Sequence, residues 1–193
     1  KVYFPWDRRS TRDDKSSAWV RVGQMHTSGS VAIPRVGWEV LAEFEDGDPD
    51  RPIVVGRLFN GMYPPPYPLP GGKTMSALKS LSSPGGGGHN EIRMEDSAGG
   101  EHLHVHAQKD LNLNVGNNKT EKVATMAQQS VGSNQTVTVG GDETLKVSGQ
   151  YALTVGASQT WSVGGSRTKS VSGGETLSVT GSRSLSIGGS HTT

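Results

Sequence analysis

A valine or isoleucine recurs every eighth residue through the second half of the chain, without a slip in phase. The series is Val115, Val123, Val131, Val139, Val147, Val155, Val163, Val171, Val179 and Ile187. With Thr176–Arg183 as the reference octad, this residue is the fourth; the second residue is apolar in seven of ten octads and the third is polar in all ten. Since alternate residues of a strand point to opposite faces, each octad predicts a short strand with one apolar face, followed by a turn.

Glycine marks the position where we expect each octad to turn. It is the sixth residue in six octads: Gly141, Gly149, Gly165, Gly173, Gly181 and Gly189. A corner favours a backbone that is free of Cβ constraints, which is what glycine supplies. The sixth residue differs at Asn117, Thr125, Ser133 and Ala157. The early octads are therefore expected to form a transition into the regular repeat.

One octad supplies one strand and one corner, so three octads are needed to close a three-sided turn. Either three consecutive octads of one chain form a coil, or three chains each contribute one octad to a layer. Three intertwined chains pair every strand above and below and leave little exposed edge, whereas a lone chain would form only a few coils. The favoured prediction is an intertwined triple-stranded β-helix, a homotrimeric needle.

The first part of the chain carries five short apolar or alternating runs separated by turn signals. They are Val2–Phe4, Trp19–Val22, Val31–Ile33, Glu39–Phe44 and Ile53–Phe59. Five short strands in this length favour a small barrel of the OB type. A Pro- and Gly-rich connector follows, and Glu91–Glu95 and Glu101–Ala107 then predict a strand pair joined by a turn. The predicted fold is all-β, with an OB-like domain at 1–60, a connector at 61–90 and strands leading into the β-helix at 91–193.

Composition supports an unusual architecture and excludes several classes of function. Only 32% of the 193 residues are hydrophobic and 27 are glycine, which is too little apolar material for an ordinary globular core. The phase-locked valines argue against disorder. A net charge of +1 without blocks of like charge gives no reason to expect a nucleic-acid partner. The chain has no cysteine, no signal-peptide pattern and no apolar run of membrane-spanning length, and we expect it to be a fragment of a longer protein.

The strongest candidate for metal binding is the run His102-Leu-His-Val-His106, which places His102, His104 and His106 on one strand face. Neighbouring imidazoles spaced about 7 Å apart along a strand suit one metal ion poorly, and with Leu103 and Val105 inward the histidines would face solvent. His191 in the last octad is expected to be a surface residue. No catalytic, cofactor-binding or metal-ligating residue is predicted, and we expect no enzymatic activity.

Several short motifs together resemble a known family. They are Phe4-Pro-Trp-Asp7, Ser17-Ala-Trp-Val-Arg-Val22, Ile33-Pro-Arg-Val-Gly-Trp-Glu-Val40, Glu45-Asp-Gly-Asp-Pro-Asp-Arg-Pro-Ile53, Pro65-Pro-Tyr-Pro-Leu-Pro70, Gly85-Gly-Gly-Gly-His-Asn-Glu91 and His106-Ala-Gln-Lys-Asp110. With the octads, they are similar to VgrG, the valine-glycine repeat spike of bacterial type VI secretion, and to the central spikes of contractile phage tails. The sequence departs from the common pattern at His102 and His104.

The resemblance implies a structural, membrane-puncturing spike at the tip of a contractile injection machine that delivers effectors. The implied partners are an Hcp-like tail-tube protein at the base, a PAAR-like tip protein or effectors at the C-terminal end, and the target membrane. Assembly in the bacterial cytoplasm followed by secretion or injection is implied as well. The alternatives are a phage tail central spike that once carried a wall-degrading enzyme domain, and a trimeric adhesin stalk.

Overall fold

The computed structural model describes residues 1–26 and 28–190 of the chain, and every regular element in them except one 3-10 turn is a β-strand. The strands are β1 (Arg21–Val22), β2 (Glu39–Phe44), β3 (Pro52–Leu58), β4 (Met75–Leu81), β5 (His89–Glu95) and β6 (His102–His106). They form two three-stranded sheets. The chain divides into two compact units, Lys1–Lys122 and Val123–Thr193. No helix in the described residues is long and apolar enough to cross a membrane.

The first sheet has the order β1-β3-β2, with β1 parallel and β2 antiparallel to β3. Along β2 exposed and half-buried residues alternate, with Val40, Ala42 and Phe44 on the half-buried face, as the period of two predicts. The turn between β2 and β3 holds Asp46 at φ 53 and Gly47 at φ 76, in the left-handed region that Asp-Gly sequences tolerate. The chain therefore reverses direction here and pairs with itself.

Two of the five predicted strands in this part are wrong. Among the described residues, Val2–Phe4 and Val31–Ile33 lie outside the hydrogen-bonded ladder. Phe4 instead stacks on Trp6 at 4.9 Å between ring centres and lies 6.0 Å from Phe44. Its apolar run is used for side-chain packing across the sheet rather than for pairing, and alternation alone cannot separate these two uses.

The second sheet has the antiparallel order β4-β5-β6. The predicted pairing of the strands on either side of residues 96–100 is confirmed, and Gly99 takes φ 81 in the reversing turn. Strand β4 was not predicted, since Met75–Leu81 lies in the segment that its composition indicated to be a connector. Its ladder with β5 extends over seven residue pairs, from Met75–Glu95 to Leu81–His89. Pairing with β5 therefore overrides a weak local pattern.

The octads adopt extended backbone interrupted by a bend at regular intervals. A bend occupies the fifth and sixth residues of every octad, from Gly116–Asn117 to Gly188–Gly189. Within the described residues 107–190, no residue belongs to a strand ladder and no backbone hydrogen bond joins two residues. Each octad has the extended arm and corner that the sequence predicts, and its backbone donors and acceptors find no partner in the same chain.

Very little of the chain is buried. Among the described residues, Val54 is the one hydrophobic residue classed as buried and Glu91 the one buried charged residue. The accessible surface is 18154 Å², about twice the roughly 8,800 Å² expected of a compact monomer of this mass. A single chain thus leaves uncovered most of the apolar surface that its pattern sets aside for burial.

Candidate assembly surface

Each octad presents an apolar side chain at its fourth position, and the exposed fraction of that side chain is nearly the same in every octad. The valine or isoleucine at the fourth position is 43–49% exposed in all ten octads. The apolar residues at the second position are more open, at 56–73%. A constant exposure from Val115 to Ile187 shows that each octad repeats the same local geometry. Each such side chain contributes about 1.5–3 kcal/mol when it is fully buried, so this surface is strongly favoured to be covered.

The backbone N–H and C=O groups of the octads also need partners when the apolar surface is covered. Buried peptide groups in native proteins are almost always hydrogen-bonded, and covering the valines also takes the neighbouring N–H and C=O groups away from water. Those groups pair with no other octad of the same chain within the described residues. The single-chain coil is therefore not the arrangement present, and strands from other chains are the remaining source of partners.

The position of the corners is confirmed, but the reason first given for glycine there is wrong for the single chain. No glycine from Gly116 to Gly189 has φ in the left-handed region. A Cβ built on any of them meets no atom of the chain within 4 Å. The bends are also present at Asn117, Thr125, Ser133 and Ala157, so the expected transition is not seen in the backbone of the early octads. Any steric need for glycine must come from outside the chain.

The second sheet carries another uncovered apolar surface. The register places Leu78, Ile92 and Val105 side by side across the three strands, with Met94 and Leu103 as the next pair on the same face. All five side chains are 46–70% exposed. The face lies on strands immediately preceding the octads in the chain. It adds to the surface that the chain alone leaves open.

The opposite face of this sheet holds a polar cluster around Glu91, which is only 4% exposed. The Tyr67 hydroxyl donates a hydrogen bond to Glu91 Oε1 and accepts one from Arg93 Nη1 at 3.1 Å. His89 Nε2 lies 3.4 Å from the second carboxylate oxygen, Oε2. The Tyr67 hydrogen bond, with the charges of Lys79, Arg93 and His89, lowers the pKa of Glu91 against the opposing effect of burial.

This cluster fastens the proline-rich segment 64–70 to the sheet. Sequence reasoning missed it, because Tyr67 sits among prolines and Glu91 and Arg93 are ordinary charged residues of a strand. The available signal was the spacing of Glu91, Arg93 and Glu95, which places three charged side chains on one strand face. When one face of a strand is charged and the other apolar, the charges are expected to have partners. The sequence does not show which residues those partners are.

The three histidines of β6 do not all have the environment that was predicted. His102 and His104 are exposed, whereas His106 is half-buried against His89 with 4.6 Å between ring centres. Leu103 and Val105 remain 67% and 53% exposed in the single chain. In the described residues, no group of three or more His, Asp or Glu side chains is arranged to hold a metal ion. His191 lies outside the described residues.

The acidic turn after β2 is an ion-paired turn. The Glu45 carboxylate lies 2.7 Å from Arg21 Nη2 and 2.6 Å from Arg51 Nη2. The nearby Arg21 guanidinium is the largest cause of the lowered pKa of Glu45, and Arg51 adds to it. Glu45 is thereby engaged in holding β1 and the turn against each other.

The tryptophans of the first unit divide between packing and exposure. Trp38 is covered by the Arg57 guanidinium, which lies 3.6 Å from the ring centre. Trp6 and Trp19 are 67% and 85% exposed. For Trp38 the observed contact is within the chain.

Comparison with known families accounts for both parts of the molecule. A family model described as the bacteriophage T4 gp5 C-terminal trimerisation domain matches residues 76–193, more than half of the chain. A second model, described as the type VI secretion system/phage-baseplate injector OB domain, matches residues 4–59. The three strands of the first sheet lie within the OB match, and the second sheet and the octads lie almost entirely within the trimerisation match.

The curated relatives are named as type VI secretion system spike proteins. The type VI secretion system spike protein VgrG4b of Pseudomonas aeruginosa is 45% identical over 137 residues, which are 69% of this chain and 17% of the relative. VgrG5 of the same organism is 50% identical over 118 residues, 60% of this chain and 15% of the relative. VgrG3 of Vibrio cholerae is 46% identical over 126 residues, 64% of this chain and 12% of the relative.

The chain thus spans less than a fifth of the length of these relatives. Its OB match precedes its trimerisation match, which includes the octads, and the regular elements of the described residues are β-strands apart from one 3-10 turn. The two family matches cover residues 4–59 and 76–193, where most of the motifs lie. The chain belongs to the VgrG family of type VI secretion spike proteins.

Proposed function

We propose that three copies of this chain form a homotrimer in which the octads stack into a stiff β-helical shaft, and that this shaft is the puncturing spike of a type VI secretion machine. The observation that carries the proposal is the repeat itself, which has an apolar surface of constant exposure and no backbone partners of its own. The match to a trimerisation domain supports three as the number of chains.

A shaft of this kind works by stiffness. Stacked strands lie about 4.8 Å apart, so ten layers give a shaft of roughly 50 Å. Every layer would be joined to its neighbours by backbone hydrogen bonds along the axis, and the valines would fill the interior. Load applied at one end is then carried by many hydrogen bonds and by close packing, with the force supplied elsewhere in the machine.

The proposed domain division follows from this role. Residues 1–60 form the OB-like base, residues 61–90 lead from it and contribute β4 to the second sheet, and residues 91–193 lead into and form the shaft. We infer an Hcp-like tail-tube protein below the base, a PAAR-like tip protein or effectors at the C-terminal end, and a target membrane as the barrier to be crossed. Assembly in the bacterial cytoplasm is followed by secretion or injection. The names of the VgrG relatives as secretion spikes support these assignments.

We assign no catalytic, cofactor-binding or metal-ligating role to any residue of this chain, His102, His104 and His106 included. The relatives are named as spikes, which supports a structural part rather than an enzyme. A phage spike bearing a wall-degrading domain and a surface adhesin stalk share the shaft architecture. The high identity to type VI secretion spikes favours the secretion spike over both.

Multi-angle light scattering tests the proposal directly. The purified chain should have a mass near three times 20.4 kDa at micromolar concentration, with a strong β signal by circular dichroism. A monomer under these conditions would overturn the proposal. Incubation with isolated peptidoglycan provides the second arm, in which release of soluble fragments would support the enzymatic alternative.

A further inference from the structure

Side chains at two positions of the octad meet around the corner in several octads. Gln135 Nε2 donates a hydrogen bond to Gln129 Oε1 at 3.4 Å. Lys169 Nζ donates to Glu175 Oε1. Gln129 and Lys169 are each the second residue of their octad, and Gln135 and Glu175 are each the eighth.

The same pairing is present where the second residue is aromatic. The guanidinium of Arg167 lies 5.2 Å from the ring centre of Trp161, which is a cation–π distance. The bend at the fifth and sixth residues lies between the two positions, so the two arms of the corner bring the second and eighth side chains together. The contact is a property of the octad geometry, because it occurs with amide, aromatic and charged side chains alike.

The second position is an unusual place for a polar residue. It shares a strand face with the fourth-position valines and is apolar in seven of ten octads, the exceptions being Glu121, Gln129 and Lys169. Each exception is compensated by an eighth-position residue. Glu121 Oε2 accepts a hydrogen bond from Lys119 Nζ at 3.0 Å, and Lys119 is the eighth residue of the preceding octad.

Compensation of this kind is expected where the surroundings are dry. An exposed lysine needs no partner, whereas a charge covered by protein is costly unless it is paired. The octad surface is left open by the single chain, and the trimerisation match points to further copies of the same chain as its cover.

We propose that the second and eighth residues of each octad lie in the contact between neighbouring copies of the chain, and that Lys169 and Glu175 form an ion pair inside that contact. The inference rests on the proposed trimer and adds to it the location of one interface and the rule by which its residues are matched. In the single chain these two side chains are 56% and 55% exposed. Assembly with other copies removes that exposure and leaves each charge dependent on the other.

A double-mutant cycle separates an interface pair from a surface pair. The variants are Lys169→Leu, Glu175→Gln and the double variant, which reproduces the Leu153 and Gln159 pattern of the octad Ala152–Gln159. The readout is the half-life of the full chain's trimer in denaturant at fixed temperature, with light scattering of each variant before unfolding. Lys146→Leu is the matched control, because Lys146 is the third residue of its octad, on the opposite strand face.

Each single variant should shorten the half-life on the order of a hundredfold, because it leaves a covered charge alone. The double variant should return to within a few-fold of the parent, and Lys146→Leu should change it by less than roughly fivefold, as for exposed groups. The pair is overturned as an interface element if both single variants also stay within that fivefold range, or if the double variant shows the product of the two single effects. A monomeric parent would contradict the proposed trimer. A trimeric parent whose single variants unfold within fivefold of its own rate would contradict only the proposed Lys169–Glu175 contact between copies.

Discussion

Residues 1–106 and the octads solve the same problem of strand pairing in opposite ways. In the first region the chain reverses between β2 and β3 and between β5 and β6, and each strand finds its partner nearby. The reversing turns use left-handed residues such as Gly47 and Gly99. The octad corners contain no left-handed glycine, so the chain bends at each corner without reversing. A chain that only bends cannot form hairpins, and because no backbone hydrogen bond joins two octads within the described residues, the octad strands need partners from other chains.

The comparison also separates two kinds of buried group. In the first unit, Val54 and Glu91 are covered by the chain itself, and Glu91 has its hydrogen-bond partners in place. In the octads every described residue is exposed, although the apolar pattern is stronger there than anywhere else in the sequence. Pattern strength therefore indicates that a surface will be buried, and the turns decide whether the same chain buries it.

The largest expected effect is from a charge in the stripe formed by the fourth-position residues of the octads, Val115 to Ile187. Val163→Asp places one carboxylate per copy in the same layer, without a partner, at a cost of more than about 3 kcal/mol for each copy. We expect the trimer to be lost or its thermal and detergent resistance to collapse, as measured by light scattering and by migration on detergent gels. Ser162→Asp, on the opposite strand face, is the control and should leave both unchanged. An intact, resistant Val163→Asp trimer would show that the stripe does not face inward.

The next effect concerns the first unit, which should be sensitive to its own hydrogen bonds. Tyr67→Phe removes the hydroxyl that serves Glu91 and Arg93, and should destabilise this region by about 1.5–3 kcal/mol, because a charged buried acceptor loses its donor. Amide hydrogen exchange of β4 and β5 measures it. Tyr151→Phe, at an eighth position of the octads outside this cluster, should leave that exchange unchanged. Equal protection in parent and Tyr67→Phe would mean that the cluster does not hold the proline-rich segment.

A glycine at a corner tests whether another chain passes close to it. Gly165→Ala meets no atom of its own chain, so any loss of stability must come from a neighbouring copy. We expect a loss of about 1–3 kcal/mol from overpacking, seen as faster unfolding of the trimer. Gly164→Ala is the matched control, since in the octads from Thr136 onward the fifth position carries Ser148, Ser172 and Thr180, whereas the sixth carries a single non-glycine residue, Ala157. Indistinguishable unfolding of the two variants would remove close packing as the reason for glycine.

The smallest expected effect is a pH dependence confined to the first unit. The pKa of Glu91 is lowered in the folded protein, mainly by the Tyr67 hydrogen bond. The folded state therefore binds fewer protons than the unfolded state over this range, and the contribution of Glu91 to stability is lost as the pH falls below the usual glutamate value of about 4.3. Protection of the β5 amides against hydrogen exchange, relative to the intrinsic rate at each pH, should fall on acidification in the parent and less steeply in Glu91→Gln. Parallel profiles would contradict this assignment.

Sequence reasoning was most accurate where the pattern is local and repeated. The predicted run Glu39–Phe44 matches β2, and the predicted run Ile53–Phe59 is displaced by one residue from β3. The strand pair around residues 96–100 was found as well. Strand β4 was missed because Met75–Leu81 has no clear alternation, and its identity as a strand depends on β5 being available beside it. Val31–Ile33 shows the opposite error: its local pattern predicts a strand, but it forms no ladder in the structure.

The candidate surface was predicted more completely than the polar cluster. The stripe from Val115 to Ile187 is evident from spacing alone, because the period of eight sets which side chains share a face. The contact of Tyr67 with Glu91 joins residues far apart in the chain, and no periodicity relates them. The same holds for His106, whose burial depends on His89 from the neighbouring strand.

By itself the sequence determined the phase of the octads, the residues of each corner and the face that must be covered. These follow from side-chain alternation and spacing, which are local properties of the backbone. Only the tertiary structure decided that the corners bend without reversing, that octads of one chain do not pair with each other, and that second and eighth residues meet. Those outcomes depend on backbone angles and on contacts across space, and the order of residues along the chain does not specify them.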